Sequence, residues 1–521
     1  MLNWVRGDER LGVGRRRRAD IICAALLVAC ALFMFVDRRT FPIIIWDESR
    51  LAVNALEMNQ RGWSLVTTYG FAPDLWNSKP PLMIWLMNLS ISIFGASEFA
   101  LRLPAMLAAI GTLIVVFAFV RRVTHSASTA ALAMVLLSTS AAFYGEHGAR
   151  TADYDSLLCF FTTAYLATFY FAVHRRVPGR GQLFAAGALV ALATLTKTIA
   201  GIVPGAGVAL YLLVSGRFRR VVTTPRYVVM MIVALMPLAA FYLAREWLAP
   251  GYLKAVWFND FAGRYEDQLG LDAKPWWFFL RALFYSGIFS GGLLALFAPL
   301  GLVGLKGQAR QALLYAICCV AAQLLLISIP ATRLVQYALP ALPWLAIACA
   351  IAIGEQLPRL FEREELNGSP RARIIVSAAL AVVAVISIAV PAARIRYGLL
   401  QKRAFYPRAS YGALFASLHD RGVQRVTVIE PGIKIGSLDA YAPQLRYYLL
   451  LWDTRGMAID RVEQPLWPRM GDIVASCDPR WSRELISMGG AAVGTDGCAS
   501  LAAGAHQRLL DVSSSHFMVR I

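Results

Sequence analysis

Two acidic residues, Asp47 and Glu48, open the stretch of this chain with the clearest chemical potential. They stand in Ile45-Trp46-Asp47-Glu48-Ser49-Arg50, just beyond the first apolar segment. Lys79 follows in Asn77-Ser78-Lys79-Pro80-Pro81-Leu82, then Arg150 and Asp155, then Lys197 in Thr196-Lys197-Thr198. Arg333 and Tyr337 complete the set. A carboxylate can take the proton of an attacking hydroxyl, and lysine or arginine can hold a phosphate on which charge develops. Such groups are costly to place beside membrane spans, so their repeated appearance there points to a site.

Each has a plainer reading. Asp47 suits the cap of a helix and Glu48 its first turn. Lys79 could snorkel toward lipid headgroups, and Arg150 with Asp155 could form a structural ion pair. Arg333, followed by Tyr337, Pro340 and Pro343, could anchor a kinked helix. The loop charges place all of them on one side of the membrane, and that shared placement favours a single site.

The elements that must hold these groups are membrane helices. The 521 residues are 58% hydrophobic and 16% charged, with a mean hydropathy of +0.55, which excludes an ordinary soluble domain. The net charge of +19 is carried mostly by short loops on alternate sides of the spans, the positive-inside pattern, so it argues for topology rather than for nucleic acid. Arg15 to Arg18 precede an apolar stretch without a small-residue cleavage site before Trp46, which reads as an uncleaved first span. Six cysteines lie in apolar spans; Cys477 and Cys498 lie in a polar region and could join in an exported compartment.

The hydropathy predicts three parts: a basic cytoplasmic head (1–19), a transmembrane domain (20–393) and a small external α/β domain (394–521). The predicted spans are 20–36, 102–120, 127–144, 156–173, 183–195, 199–214, 227–243, 276–303, 312–329, 334–354 and 374–393, about eleven in all. The pair 183–195 and 199–214 reads as short helices meeting at Lys197. Leu51, Ala55 and Met58 share one helical face, with Asn54, Glu57 and Arg61 elsewhere, the pattern of a helix lying at an interface. Residues 82–94 read as a second interfacial helix. In the external domain, 425–429, 447–451, 472–474 and 516–521 read as strands.

Five segments in order resemble the polyprenyl-phosphate-sugar glycosyltransferases of the GT-C superfamily, which includes the protein O-mannosyltransferases and lipid A aminoarabinose transferases. They are Trp46-Asp47-Glu48; Lys79-Pro80-Pro81-Leu82 with Glu98 to Pro104; Arg150 with Asp155-Ser156-Leu157-Leu158; Leu195-Thr196-Lys197; and Arg333 with Tyr337 to Pro343. The resemblance covers roughly residues 20–395. It implies an α-helical polytopic GT-C fold in a bacterial inner membrane, with the site and the C-terminal domain facing the periplasm.

By the same resemblance Asp47 is the base, with Glu48 and Asp155 in the catalytic group. Lys79 and Arg333 hold the carrier phosphate, while Arg150, Lys197 and Tyr337 belong to substrate binding. The implied partners are a polyprenyl-phosphate sugar donor, a lipid, glycan or protein acceptor, and membrane lipids, with lipid A or another glycolipid favoured and no nucleic acid. The chain departs from the aminoarabinose transferases at two metal-ligand positions: Ser78 stands where Glu is usual, and the outer loop 244–275 has no histidine. No certain cofactor is therefore implied, and a divalent metal ion is left open.

Two other classes compete. A transporter or flippase of lipid-linked sugars should show mid-span polar residues and paired repeats; here the charges gather at one face and no repeat is visible. An assembly protein would leave Asp47 and Lys79 without a role.

Overall fold

The computed structural model describes residues 21, 23–30, 32, 43–44, 47–175, 177–262, 274–285, 289, 292–296, 298–362, 411–435, 438–463, 473–493 and 498–502. Among these, six helices are long and apolar enough to cross a membrane: Glu98–Thr124, Tyr154–Val173, Arg180–Gly201, Pro225–Leu248, Gly307–Ile327 and Val335–Glu355. Leu82–Phe94, Ala127–Ser138 and Val203–Val214 are shorter apolar helices.

In chain order, α1 is Asp47–Arg61, followed by a two-stranded hairpin of β1 (Thr68–Tyr69) and β2 (Ala72–Pro73). Helices α2 (Leu82–Phe94), α3 (Glu98–Thr124), α4 (Ala127–Ser138), α5 (Tyr154–Val173), α6 (Arg180–Lys197), α7 (Ala206–Val214), α8 (Pro225–Leu248), α9 (Gly307–Ile327) and α10 (Leu342–Glu362) form the bundle. Serine caps start α3 and α4, where Ser97 accepts from Ala100 N–H and Ser126 from Thr129 N–H. The neighbours α5–α6, α3–α5, α6–α8, α7–α9 and α9–α10 pack side by side. Burial separates centre from edge: 83% of the apolar window over Val335–Glu355 is covered, but only 22% of that in α8, which therefore lies at the periphery.

Several expected spans are broken rather than continuous. The 127–144 segment stops at Ser138 and restarts as a turn at Ala141–Tyr144. Thr139 and Ser140 there turn their hydroxyls back onto the carbonyls of Val135 and Leu136, a bond that competes with helical continuation. Segment 276–303 is divided among Phe278–Tyr285, Gly292–Ala295 and Gly301–Gly304. The pair meeting at Lys197 is unequal: α6 with its 3₁₀ extension to Gly201 is long enough to cross, and a second 3₁₀ turn, Val203–Gly205, leads into the short α7. The expected span 374–393 lies outside the described residues.

The C-terminal region contains α11 (Tyr411–Asp420), β3 (Arg425–Ile429), a hairpin of β4 (Ile433–Ile435) and β5 (Leu438–Tyr441), α12 (Pro443–Asp453), β6 (Ala458–Val462), β7 (Ile473–Ser476), α13 (Pro479–Ser487), β8 (Ala491–Val493) and β9 (Cys498–Ala502). Five strands form one sheet in the order β6-β3-β7-β9-β8, parallel at β3–β6 and β3–β7 and antiparallel beyond. A disulfide joins Cys477 and Cys498, as the sequence allowed. Residues 447–451, expected as a strand, lie in α12: Pro443 stands in its first turn, and Leu445, Tyr448, Leu451 and Trp452 are buried at helical spacing. The expected strand at 516–521 lies outside the described residues.

One apolar core runs through α3, α4, α5, α6, α7, α9 and α10. A second joins α1, α2 and the starts of α3 and α5 to α11, α12 and the strands of the C-terminal region. The latter core corrects the reading of α1 as an interfacial helix, because its polar face is covered as well. Asn54 and Glu57 are fully buried, and their hydrogen-bonding capacity holds the loop that follows. Glu57 accepts from Thr68 Oγ1 and from Gly70 and Phe71 N–H, while Asn54 donates to the Thr68 carbonyl and to Asp74.

Candidate active site

The loop bearing Lys79 is fixed from α1 outward. Asp74 is buried and receives Arg50 through both carboxylate oxygens at 2.7 and 2.9 Å, together with Asn54 and the N–H groups of Trp76 and Asn77. Burial disfavours its charge, but the Arg50 contact outweighs this and holds its pKa below the usual carboxylate range. Tyr441 of the C-terminal region accepts from Arg50 through its hydroxyl. Asn77 then links α1 to α5: it donates to Asn54 Oδ1 and accepts from Tyr154 Oη at 3.0 Å.

Asp47 is exposed at the first position of α1, whereas its neighbour Glu48 turns inward. Glu48 is 3% exposed and makes a paired contact with Arg102, at 2.7 and 3.1 Å. It also accepts from Ile44 and Ala152 N–H. Both oxygens are thereby committed to protein donors, and Glu48 ties the start of α1 to α3 and to the loop before α5.

That loop carries a residue the sequence reading passed over. His147 Nδ1 contacts Asp153 through a short hydrogen bond and lies 4.0 Å from Asp155 Oδ2. Burial opposes the imidazolium, but Asp153 and Asp155 outweigh it and raise the pKa to about 9. Asp153, despite a burial penalty, is lowered by the same partner. His147 has φ of +60°, and Gly148 follows where an added Cβ would fall 2.3 Å from the Phe143 carbonyl oxygen, so the turn requires glycine there. The signal was in the sequence, as a histidine six residues before an aspartate, but only the left-handed turn directs it back onto Asp153.

Asp155, in the first turn of α5, is paired with Lys197 at 2.6 and 2.7 Å. The residue after Lys197, Thr198, has φ of +43°, a rare conformation for a β-branched residue, where α6 gives way to a 3₁₀ turn. Lys197 also lies 5.8 Å from the centre of the Tyr337 ring.

Lys79, Asp155, Lys197 and Tyr337 line one cavity of about 170 Å³, together with Asp260, Gln323 and Thr332. Asp260 is the second residue missed. It lies in a π-helical turn, Trp257–Ala262, accepts from Ser78 Oγ at 2.9 Å and stands 3.9 Å from Lys79 Nζ. Ser78, one departure from the metal-ligand pattern, is thus bonded to a carboxylate of the outer loop. A hydroxyl donor, one carboxylate and a nearby ammonium do not make a ligand set for a divalent cation.

A different group, Asp47, His147 and Asp153, brings its ligand atoms within 4.8 Å of one another. The donor types suit a cation, but His147 is held protonated by the neighbouring carboxylates, and a metal would have to displace that proton.

Two expected residues are not among those lining this cavity. Arg333 donates to the backbone carbonyls of Ser328 and Lys274, pinning the approach to Tyr337. Arg150 is buried, with its guanidinium 5.8 Å from the Tyr144 ring centre and a 3.5 Å contact to Tyr144 Oη.

The sequence model of the dolichyl-phosphate-mannose-protein mannosyltransferase family matches residues 78–243. The crystal structure of ArnT from Cupriavidus metallidurans bound to undecaprenyl phosphate matches with a TM-score of 0.61, over 92% of this chain and 98% of that one, at 18% identity. The chain has the GT-C membrane fold of that structure.

Two relatives of this GT-C protein set the range of likeness. An uncharacterized protein of Aquifex aeolicus is 34% identical over 173 residues, 32% of this chain and 33% of that protein. The undecaprenyl phosphate-alpha-4-amino-4-deoxy-L-arabinose arabinosyl transferase of Pseudomonas aeruginosa is 24% identical over 354 residues, 67% of this chain and 62% of that protein. The GT-C chain therefore matches these relatives over less than two thirds of their lengths.

Proposed function

We propose that this protein is a glycosyltransferase that moves a sugar from a polyprenyl-phosphate carrier to a hydroxyl-bearing acceptor outside the cytoplasm, with lipid A or another glycolipid the favoured acceptor. The observation that carries the reading is the shared cavity of Lys79 and Lys197, connected through Asp155 and His147 to Asp153 beside Asp47. The Pseudomonas aeruginosa relative, named for an undecaprenyl-phosphate sugar donor, supports the substrate class.

The acceptor oxygen attacks the anomeric carbon while Asp47 takes its proton. The bond from that carbon to the phosphate oxygen breaks, and the phosphate leaves with the electron pair. Lys79 answers the developing charge, with Lys197 behind it. One displacement with one base inverts the anomeric carbon. Asp47 suits the proton transfer because it is exposed and meets incoming substrate, whereas Glu48 acts as a positioning residue through Arg102. Arg333 and Arg150 serve the frame: one fixes the segment leading to Tyr337, the other the loop before α5.

The alternation of basic clusters along the sequence supports a cavity that faces the periplasm from an inner membrane. Purified protein in nanodiscs, given a radiolabelled undecaprenyl-phosphate aminoarabinose and lipid A, tests the activity. Mass spectrometry of envelope lipids and glycans from a deletion strain tests the acceptor. An envelope identical to the parent's, with no transfer in vitro to lipid, glycan or protein acceptors, would refute the reading.

A further inference from the structure

A second concavity lies away from the catalytic cavity, between α6 and the peripheral helix α8. It has a volume of about 750 Å³, and its walls include Leu183, Gly187 and Leu195 of α6 and Val229, Val233 and Pro237 of α8. On α8 it begins at Pro225 and ends at Pro237, the proline inside that helix. Twelve helical residues rise roughly 18 Å, close to one leaflet of a bilayer whose hydrocarbon core is about 30 Å thick.

The groove has one charged end. Arg180 opens α6 and Arg226 stands in the first turn of α8; both line the groove, both are exposed, and neither has an ion-pair partner among the described residues. Neither helix N-terminus carries a side-chain cap, which adds to the positive potential there. Gly187 allows close approach of the helices, since an added Cβ would meet Met230 at 3.1 Å. Along the groove, Phe184 is 77% exposed and Val229 57% exposed, an outward apolar surface suited to acyl chains.

We infer that this groove binds an anionic glycerophospholipid, with its phosphate between Arg180 and Arg226 and an acyl chain along α6 and α8. Basic pockets between membrane helices select such headgroups, and the apolar length matches one leaflet. The carrier of the proposed reaction is a poorer occupant. Its phosphate belongs near Lys79 and Lys197, at the opposite end of α6, so its isoprenoid tail would bring no anion to the two arginines.

Native mass spectrometry of the delipidated full-length protein, titrated with palmitoyl-oleoyl phosphatidylglycerol or phosphatidylcholine, tests the site without requiring transfer activity. Wild type should bind phosphatidylglycerol in preference. Arg180→Ala/Arg226→Ala should bind it roughly thirtyfold more weakly, with binding of phosphatidylcholine unchanged. Val233→Trp, which fills the groove and leaves both arginines, should also weaken phosphatidylglycerol while keeping the wild-type melting temperature. Equal binding of the two lipids by wild type would overturn the proposal, as would retention of phosphatidylglycerol by the arginine variant. Displacement of phosphatidylglycerol by undecaprenyl phosphate would assign the groove to the carrier tail, and loss of a dimer in place of lipid would assign it to a second copy.

Discussion

Lys197 Nζ sits 2.6 and 2.7 Å from the two carboxylate oxygens of Asp155, joining the end of α6 to the start of α5. The side chains are 15% and 2% exposed, so the pair is largely desolvated. Removing one member would strand the other charge, whereas removing both need not. Lys197→Met should therefore lower stability by about 3–5 kcal/mol. The double variant Asp155→Asn/Lys197→Met should recover much of that loss. Thermal unfolding in one detergent checks both; a double variant as unstable as the single would mean that the pair is not what couples these helices.

Asp47→Asn should behave in the opposite way. The residue is exposed, so the melting temperature should stay at the wild-type value while transfer falls by about 10²–10⁴-fold, the usual effect of losing a general base. Wild-type transfer by this variant would remove Asp47 from the mechanism.

For Lys79 the informative quantity is the split between kcat and KM. Lys79→Ala should raise the KM for the polyprenyl-phosphate donor and lower kcat, because a charge on the leaving phosphate loses its partner in both states. Asp260→Asn retains a hydrogen-bond acceptor for Ser78 but removes the carboxylate charge 3.9 Å from Lys79, so donor binding should tighten. Donor KM unchanged in both variants would return Lys79 to a lysine resting against lipid headgroups.

His147 makes the site sensitive to alkali. Its folded pKa is raised from 6.5 to about 9, first against burial and then by Asp153 and Asp155. A raised folded pKa contributes stability that is fully present below the unfolded value and is lost as pH rises through the folded one. The melting temperature of wild type should thus fall between about pH 6.5 and pH 9 relative to His147→Asn, with the two curves parallel above that window. Parallel curves across the whole range would show that His147 does not gain a proton on folding.

Sidedness underlies the choice of donor. In a background without reactive thiols, Ala72→Cys should label with a membrane-impermeant maleimide in intact spheroplasts, and His125→Cys only after lysis; both positions are exposed in the fold. The reverse pattern would put the cavity in the cytoplasm, where a lipid-linked donor already carried across the membrane could not reach it.

Hydropathy and loop charge determined that this chain is a bundle of membrane helices, and spacing selected Asp47, Lys79, Asp155, Lys197 and Tyr337 as candidates before any contact was known. Those features are local: an apolar run needs a bilayer or a core, and a charge beside it must be accounted for. Tertiary structure decided which charges face each other. Asp155 takes Lys197 rather than Arg150, Glu48 is committed to Arg102, Arg333 to backbone carbonyls, and Asp260 reaches Ser78 from 182 positions away. It also decided that α1 is buried all round from Leu51 to Met58, because the C-terminal region packs into the same core. Periodicity reports how apolar each face of a helix is, but not what covers the polar one. A buried asparagine and glutamate look like surface residues until the loop that satisfies their hydrogen bonds is in place.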